Sequence, residues 1–321
     1  MKKNFLLLSI FTIVTLACDL SVTVAPSTSS APLPTNTVIP ATGDPTTILA
    51  TLALNATSTQ VPASATLIPV TVSPTSTATA LQPVTNEVEV AVGPLSIVLS
   101  PGLATGARGI QIPRAEGQNL PYWDLTPGHH ILKLEGYLLQ GKTQQPQIYV
   151  YPAQAYAEMV PGAFESIRRL DNILYGPSAP ISADQLPTVP FFNAQQAFTS
   201  NIQVVSFQNG GGVRFLTEYA QYAVSANNQD LIYHFQGVTR DGAYYIIAIL
   251  PLSNPRLAET SDGGAVLPLG GIPYSYFADP NADMQGYYKA VTALLNTAPQ
   301  ETFTPTLNQL DLLIQSMRIT Q

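Results

Sequence analysis

Aromatic residues are missing from a stretch of more than a hundred residues, 12–121, and this limits where a hydrophobic core can form. No Phe, Trp or Tyr occurs from Thr12 to Pro121, and residues 20–86 are almost entirely Thr, Ser, Pro, Ala and small aliphatic residues. Recurrent Pro interrupts helices and strands, and a segment without aromatic side chains buries too little surface to offset the entropy lost on ordering it. We therefore predict a disordered linker over residues 18–86 and a single globular domain over residues 87–321.

The N-terminus has the pattern of a bacterial export signal. Two lysines follow the initiating Met and precede an apolar run, Phe5 to Ala17, that is too short to span a bilayer stably. The run ends in Leu16-Ala17-Cys18, which resembles the bacterial lipobox, where a Cys after a small residue becomes the lipidated N-terminus. Thr15 stands where that family usually has Leu or Val. The resemblance implies a signal peptide over residues 1–17 and acylation of Cys18, for example with palmitate.

The cysteine count supports the same interpretation. Cys18 is the only cysteine in the chain, and an exported chain with a lone Cys at the end of its signal usually uses it for acylation. The alternative is an ordinary cleaved signal with an incidental Cys. We expect an extracytoplasmic protein that a lipid anchors to the cell membrane, with a linker whose mean reach is about 45 Å.

The charge of the chain excludes several classes of partner. It carries 13 Lys and Arg against 20 Asp and Glu, a formal net charge of −7. Within residues 87–321 the basic residues are scattered apart from the pair Arg168-Arg169. A nucleic-acid groove or a basic lipid-binding face needs clustered cations. We therefore expect no nucleic-acid partner. We also expect no cofactor, and we expect contact with membrane lipid through Cys18.

The spacing of apolar residues after residue 86 predicts an α+β fold, in which helices pack on an antiparallel sheet. The sheet is a four-strand meander joined by N-terminal strands. The predicted strands are 87–92, 95–99, 131–140, 147–151, 202–207, 213–222, 231–239 and 243–250. The predicted helices are 162–174, 193–199, 283–296 and 305–317. Segments 101–128 and 176–190 are rich in Gly and Pro, which predicts surface loops.

Three short motifs are predicted to form the tight turns of the meander. They are Asn209-Gly210-Gly211-Gly212, Asn227-Asn228 and Asp241-Gly242. Gly, Asn and Asp tolerate the positive φ angles that two-residue hairpins require. The nearly continuous apolar run from Ala243 to Leu250 predicts a central strand that is covered on both faces.

The C-terminal half resembles a known group of sequences. From about Asn193 onward the chain is similar to uncharacterised lipoproteins of filamentous bacteria, on the segments Gly211–Thr217, Asp241–Tyr245, Leu250-Pro251-Leu252 and Leu310–Ser316. The order of its elements, a Tyr-Tyr strand ending in Pro and then a C-terminal helix, also looks like the PsbP-like or DcrB-like sheet. Those families are mostly binding or assembly proteins, so the resemblance implies such a role and no catalytic residues.

Two groups of polar residues are candidates for a ligand or surface site. The predicted register places His234 opposite Gln221 and near Ile249, so that it shares a face with Tyr219, Gln221 and Gln236. These four side chains line a polar groove in one interpretation and a half-exposed sheet surface in the other, and Glu218 points to the opposite face.

The second group surrounds His129-His130, at the entry of a predicted strand. Asp124 is placed to approach one of the two imidazoles. Adjacent strand residues point to opposite faces, so the pair cannot bind one metal ion. The alternative is a turn in which one imidazole hydrogen-bonds to backbone groups.

Sequence signatures of common enzyme classes are absent. The chain has no Gly-x-Ser-x-Gly, Ser-x-x-Lys or His-Glu-x-x-His motif. The segment Asp279–Asp283 begins like a calcium loop, but Met284 and Ala290 replace the Gly and Glu that such a loop needs. Asp279 or Asp283 is instead predicted to cap the next helix.

The remaining functional signals are a loop and the tyrosines. Residues 263–276 form a long apolar segment that could cover a pocket or meet a partner, and tyrosines serve either in packing or in gripping glycans and proteins. We expect a non-enzymatic binding or assembly-accessory domain with an envelope protein or glycan as partner. The alternatives are an envelope hydrolase, with His234 or His130 beside a carboxylate such as Asp124, and a solute-binding protein.

Overall fold

The computed structural model describes residues 87–274, 279 and 281–320. The predicted signal peptide, Cys18 and the linker lie outside the described residues. Within them the predicted α+β class is confirmed, because a large antiparallel sheet carries helices packed on it. None of the described helices is long and apolar enough to cross a membrane.

Twelve strands fall into three sheets in the described part of the chain. In chain order they are β1 (Val88–Val92), β2 (Leu95–Leu99), β3 (Gly106–Ile112), β4 (His129–Glu135), β5 (Gln147–Pro152), β6 (Gln195–Gln196), β7 (Ser200–Phe207), β8 (Gly210–Thr217), β9 (Tyr219–Ala220), β10 (Ile232–Thr239), β11 (Tyr244–Pro251) and β12 (Arg318–Ile319). The main sheet has the order β3-β4-β5-β11-β10-β8-β7, a second sheet has the order β1-β2-β12, and β6 pairs with β9.

Four helices pack on the main sheet. They are α1 (Ala153–Met159), α2 (Pro161–Tyr175), α3 (Met284–Asn296) and α4 (Leu307–Ser316). Pro161 opens α2, where its missing N–H is harmless. The Asp283 carboxylate accepts a hydrogen bond from the Gly286 N–H at the start of α3, as the sequence predicted. Thr306 and Gln309 form a reciprocal capping box at α4.

The meander from β7 to β11 is confirmed, and β11 is a central strand. It pairs with β10 on one side and β5 on the other. Its side chains alternate between two buried layers, as strand geometry requires. Ile246 and Ala248 join the core under α3 and α4, while Tyr245 and Ile247 join the core under α1 and α2.

Several segments differ from the predicted elements, and the predicted strands 131–140 and 213–222 end early, at Glu135 and Thr217. β3 was expected to be surface loop, because Gly and Pro flank it. Gly109 lets β3 pass close to β1: a Cβ there would lie 2.1 Å from Cγ1 of Val92. α1 was assigned to no element, and the helix predicted over 193–199 is wrong. Residues 195–196 pair with β9 instead, and Ala197 N–H donates to the Glu218 carbonyl.

Of the turn predicted at Asn209-Gly210-Gly211-Gly212, only Asn209 lies in the turn. The β7–β8 turn is Gln208-Asn209, and the glycines lie inside β8. A Cβ on Gly210 would lie 2.1 Å from the Phe207 ring, and a Cβ on Gly212 would lie 2.1 Å from the Gln236 carbonyl. These positions therefore require small residues because of close packing. Of the three predicted turns, only the one at Gly242 has a glycine with a positive φ, +70°.

Candidate functional site

The loop cavity is a pocket of about 230 Å³ beneath residues 256–274. Leu257, Ala258 and Val291 line its buried side, and Ala265, Leu267 and Ile272 line it from the loop. Its polar lining consists of Ser225, Tyr287 and the charged residues Arg256 and Asp262. A concave, largely apolar site with a few polar groups is the usual form of a small-molecule pocket.

Segment 224–227 forms one wall, and two tyrosines of α3 hold it. The Tyr287 phenol oxygen accepts from the Ala226 N–H at 2.9 Å. The Tyr288 phenol accepts from the Val224 N–H at 3.1 Å and donates to the Val224 carbonyl at 2.8 Å. Because three hydrogen bonds join this wall to a packed helix, the pocket has a defined shape before any ligand arrives.

Glu218 also holds segment 224–227, from the buried side of that segment. It is fully buried, and its Oε1 accepts from the Asn227 N–H at 2.7 Å. Its Oε2 has no hydrogen-bond partner among the described residues. Burial raises the pKa of Glu218 well above its usual value, and the nearby Asp230 raises it further, against the lowering effect of the Asn227 N–H. Burial therefore favours the neutral form of the Glu218 carboxyl.

The start of the cavity loop is tied to the sheet by buried amides. Asn228 donates through Nδ2 to the Leu257 carbonyl and to Glu259 Oε1, both at 3.2 Å. Its Oδ1 accepts from the Asn254 N–H at 2.8 Å. The predicted turn at Asn227-Asn228 is thus a buried connection that positions residues 254–259.

The middle of the loop faces solvent. Val266 is 84% exposed and Leu269 is 100% exposed, and neither lines the cavity. The tip of the loop is therefore distinct from the part that covers the cavity, and its side chains can be changed without altering the cavity walls.

His234 lies in a buried polar network and not in a groove. Gln236 Nε2 donates to His234 Nε2 at 2.9 Å, so the imidazole proton lies on Nδ1, which is 3.0 Å from the Tyr219 phenol oxygen. Tyr245 donates to Gln236 Oε1, and Gln196 donates to Tyr219 at 2.9 Å. Burial lowers the pKa of His234 to about 3 and raises that of Tyr219. His234 is therefore neutral, and this network fits a structural role.

Gln221 does not join this network. The residue opposite His234 on β8 is Phe215, whereas the predicted neighbour Ile249 is correct. The register was misjudged because the chain leaves β8 at Thr217 and takes a long connection to β10, without a tight hairpin at Asn227. The Gln221 side chain instead donates to the Asn193 carbonyl at 3.0 Å.

The second candidate group is dispersed. His130 packs over the β1–β2 turn, where a Cβ on Gly93 would lie 2.5 Å from its Nδ1. His129 is buried, and its Nδ1 lies 2.9 Å from the Pro127 carbonyl, as the turn interpretation expected. Asp124 is exposed, and no described hydrogen bond or ion pair joins it to either imidazole. Within the described residues, no group of three His, Cys, Asp or Glu residues could hold a metal ion.

A second groove, of about 360 Å³, lies beside α2, but its charged groups already have partners. Glu165 pairs with Arg168 at 2.8 Å and with Arg169 at 3.0 Å. Arg169 also donates to the carbonyls of Asp184 and Leu186. The loop cavity differs in offering a charged side chain, Arg256, that has no partner in the described part of the chain.

Sequence reasoning identified the loop of the cavity but not its other walls. The apolar loop at 263–276 was expected either to cover a pocket or to meet a partner, and several of its residues up to 274 line the cavity. Tyr287 belongs to a cluster of tyrosines whose predicted role was either packing or contact with a partner, and it lines the cavity. Ser225 and Arg256 were missed, since nothing in their local sequence distinguishes them from ordinary surface residues. Many of the tyrosines serve in packing: Tyr151 stacks on Tyr156, with ring centroids 4.3 Å apart.

Comparison with known proteins adds no further information. A scan against protein-family models, a search of curated proteins and a search of solved structures each found no match.

Proposed function

We propose that residues 87–321 form a non-enzymatic binding domain, tethered outside the cell membrane through Cys18, that receives an apolar ligand in the loop cavity. The observation that carries this proposal is the cavity itself, a pre-shaped apolar pocket with polar groups at its rim. A volume of about 230 Å³ corresponds to roughly eight water molecules at about 30 Å³ each. Releasing that water to bulk solvent favours binding of an apolar group.

The geometry of the histidines favours binding over the hydrolase alternative. A hydrolase of the kind considered needs an imidazole beside a carboxylate and open to substrate. His234 is buried between a phenol and an amide, and His130 has no described carboxylate contact. The antiparallel main sheet also differs from the alternating βαβ pattern of typical solute-binding proteins.

Acylation of Cys18 is tested by Cys18→Ser. We expect the variant to lose lipid labelling and to move from the membrane fraction to the soluble or uncleaved pool, because serine lacks the thiol that receives the lipid. Metabolic labelling with a radioactive fatty acid and cell fractionation measure this. Unchanged processing and membrane attachment of the variant would show that the anchor is wrong.

Binding in the loop cavity is tested by filling it. Ala265 lines the cavity and is half-buried, so Ala265→Trp places an indole in the space that a ligand needs. We expect affinity for the uncharged fluorescent probe N-phenyl-1-naphthylamine to fall at least tenfold, about 1.4 kcal/mol. The measurement uses the full chain with Cys18→Ser, purified without detergent.

Val266→Trp is the matched control, since it adds the same side chain one residue away and outside the cavity. We expect its affinity to stay within twofold of the parent chain. Equal loss in both variants, or no probe binding by the parent chain, would contradict the proposed function.

A further inference from the structure

We infer that the loop cavity selects a small amphiphile with an apolar body and one carboxylate, and that Arg256 receives the carboxylate at the rim. This inference rests on the proposed function and specifies the chemical class of its ligand. The juxtaposition that carries it is an exposed guanidinium, without a described partner, beside a buried apolar wall.

Arg256 is held in place by its backbone while its side chain stays available. Its N–H donates to Asn254 Oδ1 at 3.0 Å. Its carbonyl packs so closely against the far end of the loop that a Cβ on Gly271 would lie 2.7 Å away. No hydrogen bond or ion pair engages the guanidinium within residues 87–274 and 281–320. A guanidinium on a fixed backbone, with its paired N–H donors available, suits a planar carboxylate.

Asp262, the other charged residue at the rim, is differently placed. Its Oδ2 accepts from Thr260 Oγ1 at 2.9 Å, so a neighbouring hydroxyl already partners this carboxylate. The Asp262 carboxylate thus has one described hydroxyl partner, whereas the Arg256 guanidinium has none among the described residues. The net charge of −7 does not prevent binding of an anion, because charges further than about 8 Å are largely screened at physiological ionic strength.

The size and wall chemistry of the cavity set the body of the ligand. Leu257 is 3% exposed and Val291 is fully buried, so the inner wall offers hydrocarbon contacts. At about 230 Å³ the cavity is smaller than the roughly 300–1,000 Å³ of pockets for drug-sized molecules. A single short hydrocarbon chain, or one small aromatic body, with its carboxylate at the rim fits this space.

The test compares octanoate, octanol and octylammonium, which share one apolar chain and differ in head-group charge. Displacement of N-phenyl-1-naphthylamine from the full chain with Cys18→Ser gives each affinity. We expect Arg256→Gln to weaken octanoate about tenfold and to leave octanol within twofold. Arg256→Lys is expected to retain part of the octanoate affinity, because lysine keeps the positive charge but lacks the paired N–H donors of the guanidinium. Arg240→Gln, on an exposed arginine away from the cavity, leaves all three affinities unchanged.

Asp262→Asn supplies an effect of the opposite sign. Removing the neighbouring negative charge is expected to strengthen octanoate two- to threefold. Octylammonium binding more tightly than octanoate, with loss of that preference in Asp262→Asn, would overturn the inference.

A fall in octanol affinity equal to that of octanoate in Arg256→Gln would also overturn it. In either case continued binding of octanol and the neutral probe leaves the proposed function intact. Failure of all neutral ligands to bind the parent chain contradicts the proposed function as well.

Discussion

Replacing Asp311 with Ala is expected to lower the free energy of unfolding by about 3–5 kcal/mol, the usual effect of breaking a buried ion pair. Asp311 on α4 faces Arg214 on β8, with Nε–Oδ1 and Nη2–Oδ2 distances of 3.2 and 3.3 Å. Their side chains are 2% and 9% exposed. Tyr233 also donates to Asp311 Oδ1 at 2.8 Å. The variant leaves a guanidinium buried without its counter-charge and a phenol without its acceptor.

Urea denaturation of the full chain with Cys18→Ser measures the effect. Glu135→Ala is the control, since its ion pair with Arg108 is more than half exposed and contributes less than about 1 kcal/mol. The double variant Arg214→Met with Asp311→Leu is expected to be more stable than Asp311→Ala, because it leaves no buried charge. A loss in Asp311→Ala no larger than in Glu135→Ala would contradict this account of the core.

Acid is expected to destabilise the fold through His234, by about 3 kcal/mol between pH 7 and pH 4. Burial holds the pKa of His234 at about 3, against 6.5 when unfolded. Between these values the unfolded chain binds a proton that the folded chain does not. The stabilising contribution of the neutral imidazole is therefore complete above pH 6.5 and is lost as the pH falls towards 3.

His234→Gln isolates this contribution, since glutamine keeps hydrogen-bonding atoms but takes up no proton. Free energies of unfolding at pH 7 and pH 4 are compared for the parent chain and the variant. The loss between the two pH values is expected to be about 3 kcal/mol smaller in the variant. Burial also lowers the pKa of His129, and that effect remains in both chains, so the difference reports His234. Equal pH dependence in the two chains would show that His234 does not carry this effect.

The fold was predictable where one face of an element repeats a clear pattern. The nearly continuous apolar run of β11 predicted a central strand, and the helical spacing of apolar residues in α4 predicted a helix packed on the sheet. The register of β8 on β10 was not predictable, because β8 leaves β10 at a point that local sequence does not mark. That is why Gln221 was placed opposite His234 where Phe215 lies. The β10–β11 register, in contrast, follows from the tight turn at Gly242.

The candidate site was predictable only in its loop. The apolar composition of residues 263–276, with Gly and Pro, indicated a loop that covers a pocket or meets a partner. In the structure this loop lies over the cavity. Arg256 and Tyr287 are 31 residues apart and meet at the cavity through tertiary contacts, which no short motif encodes. The environment of Glu218 was likewise not predictable from local sequence. Asn227 and Tyr287 interact with it only in the folded chain.

The most direct measurement of the central claim is a map of amide NMR shifts on adding octanoate to the full chain with Cys18→Ser. The account predicts the largest shifts at Ser225, Ala226, Ala258 and Val291, which surround the loop cavity. It predicts no comparable shifts at Arg168 and Asp184 in the groove beside α2. Shifts confined to that groove, or none at the loop cavity at saturating octanoate, would contradict the account.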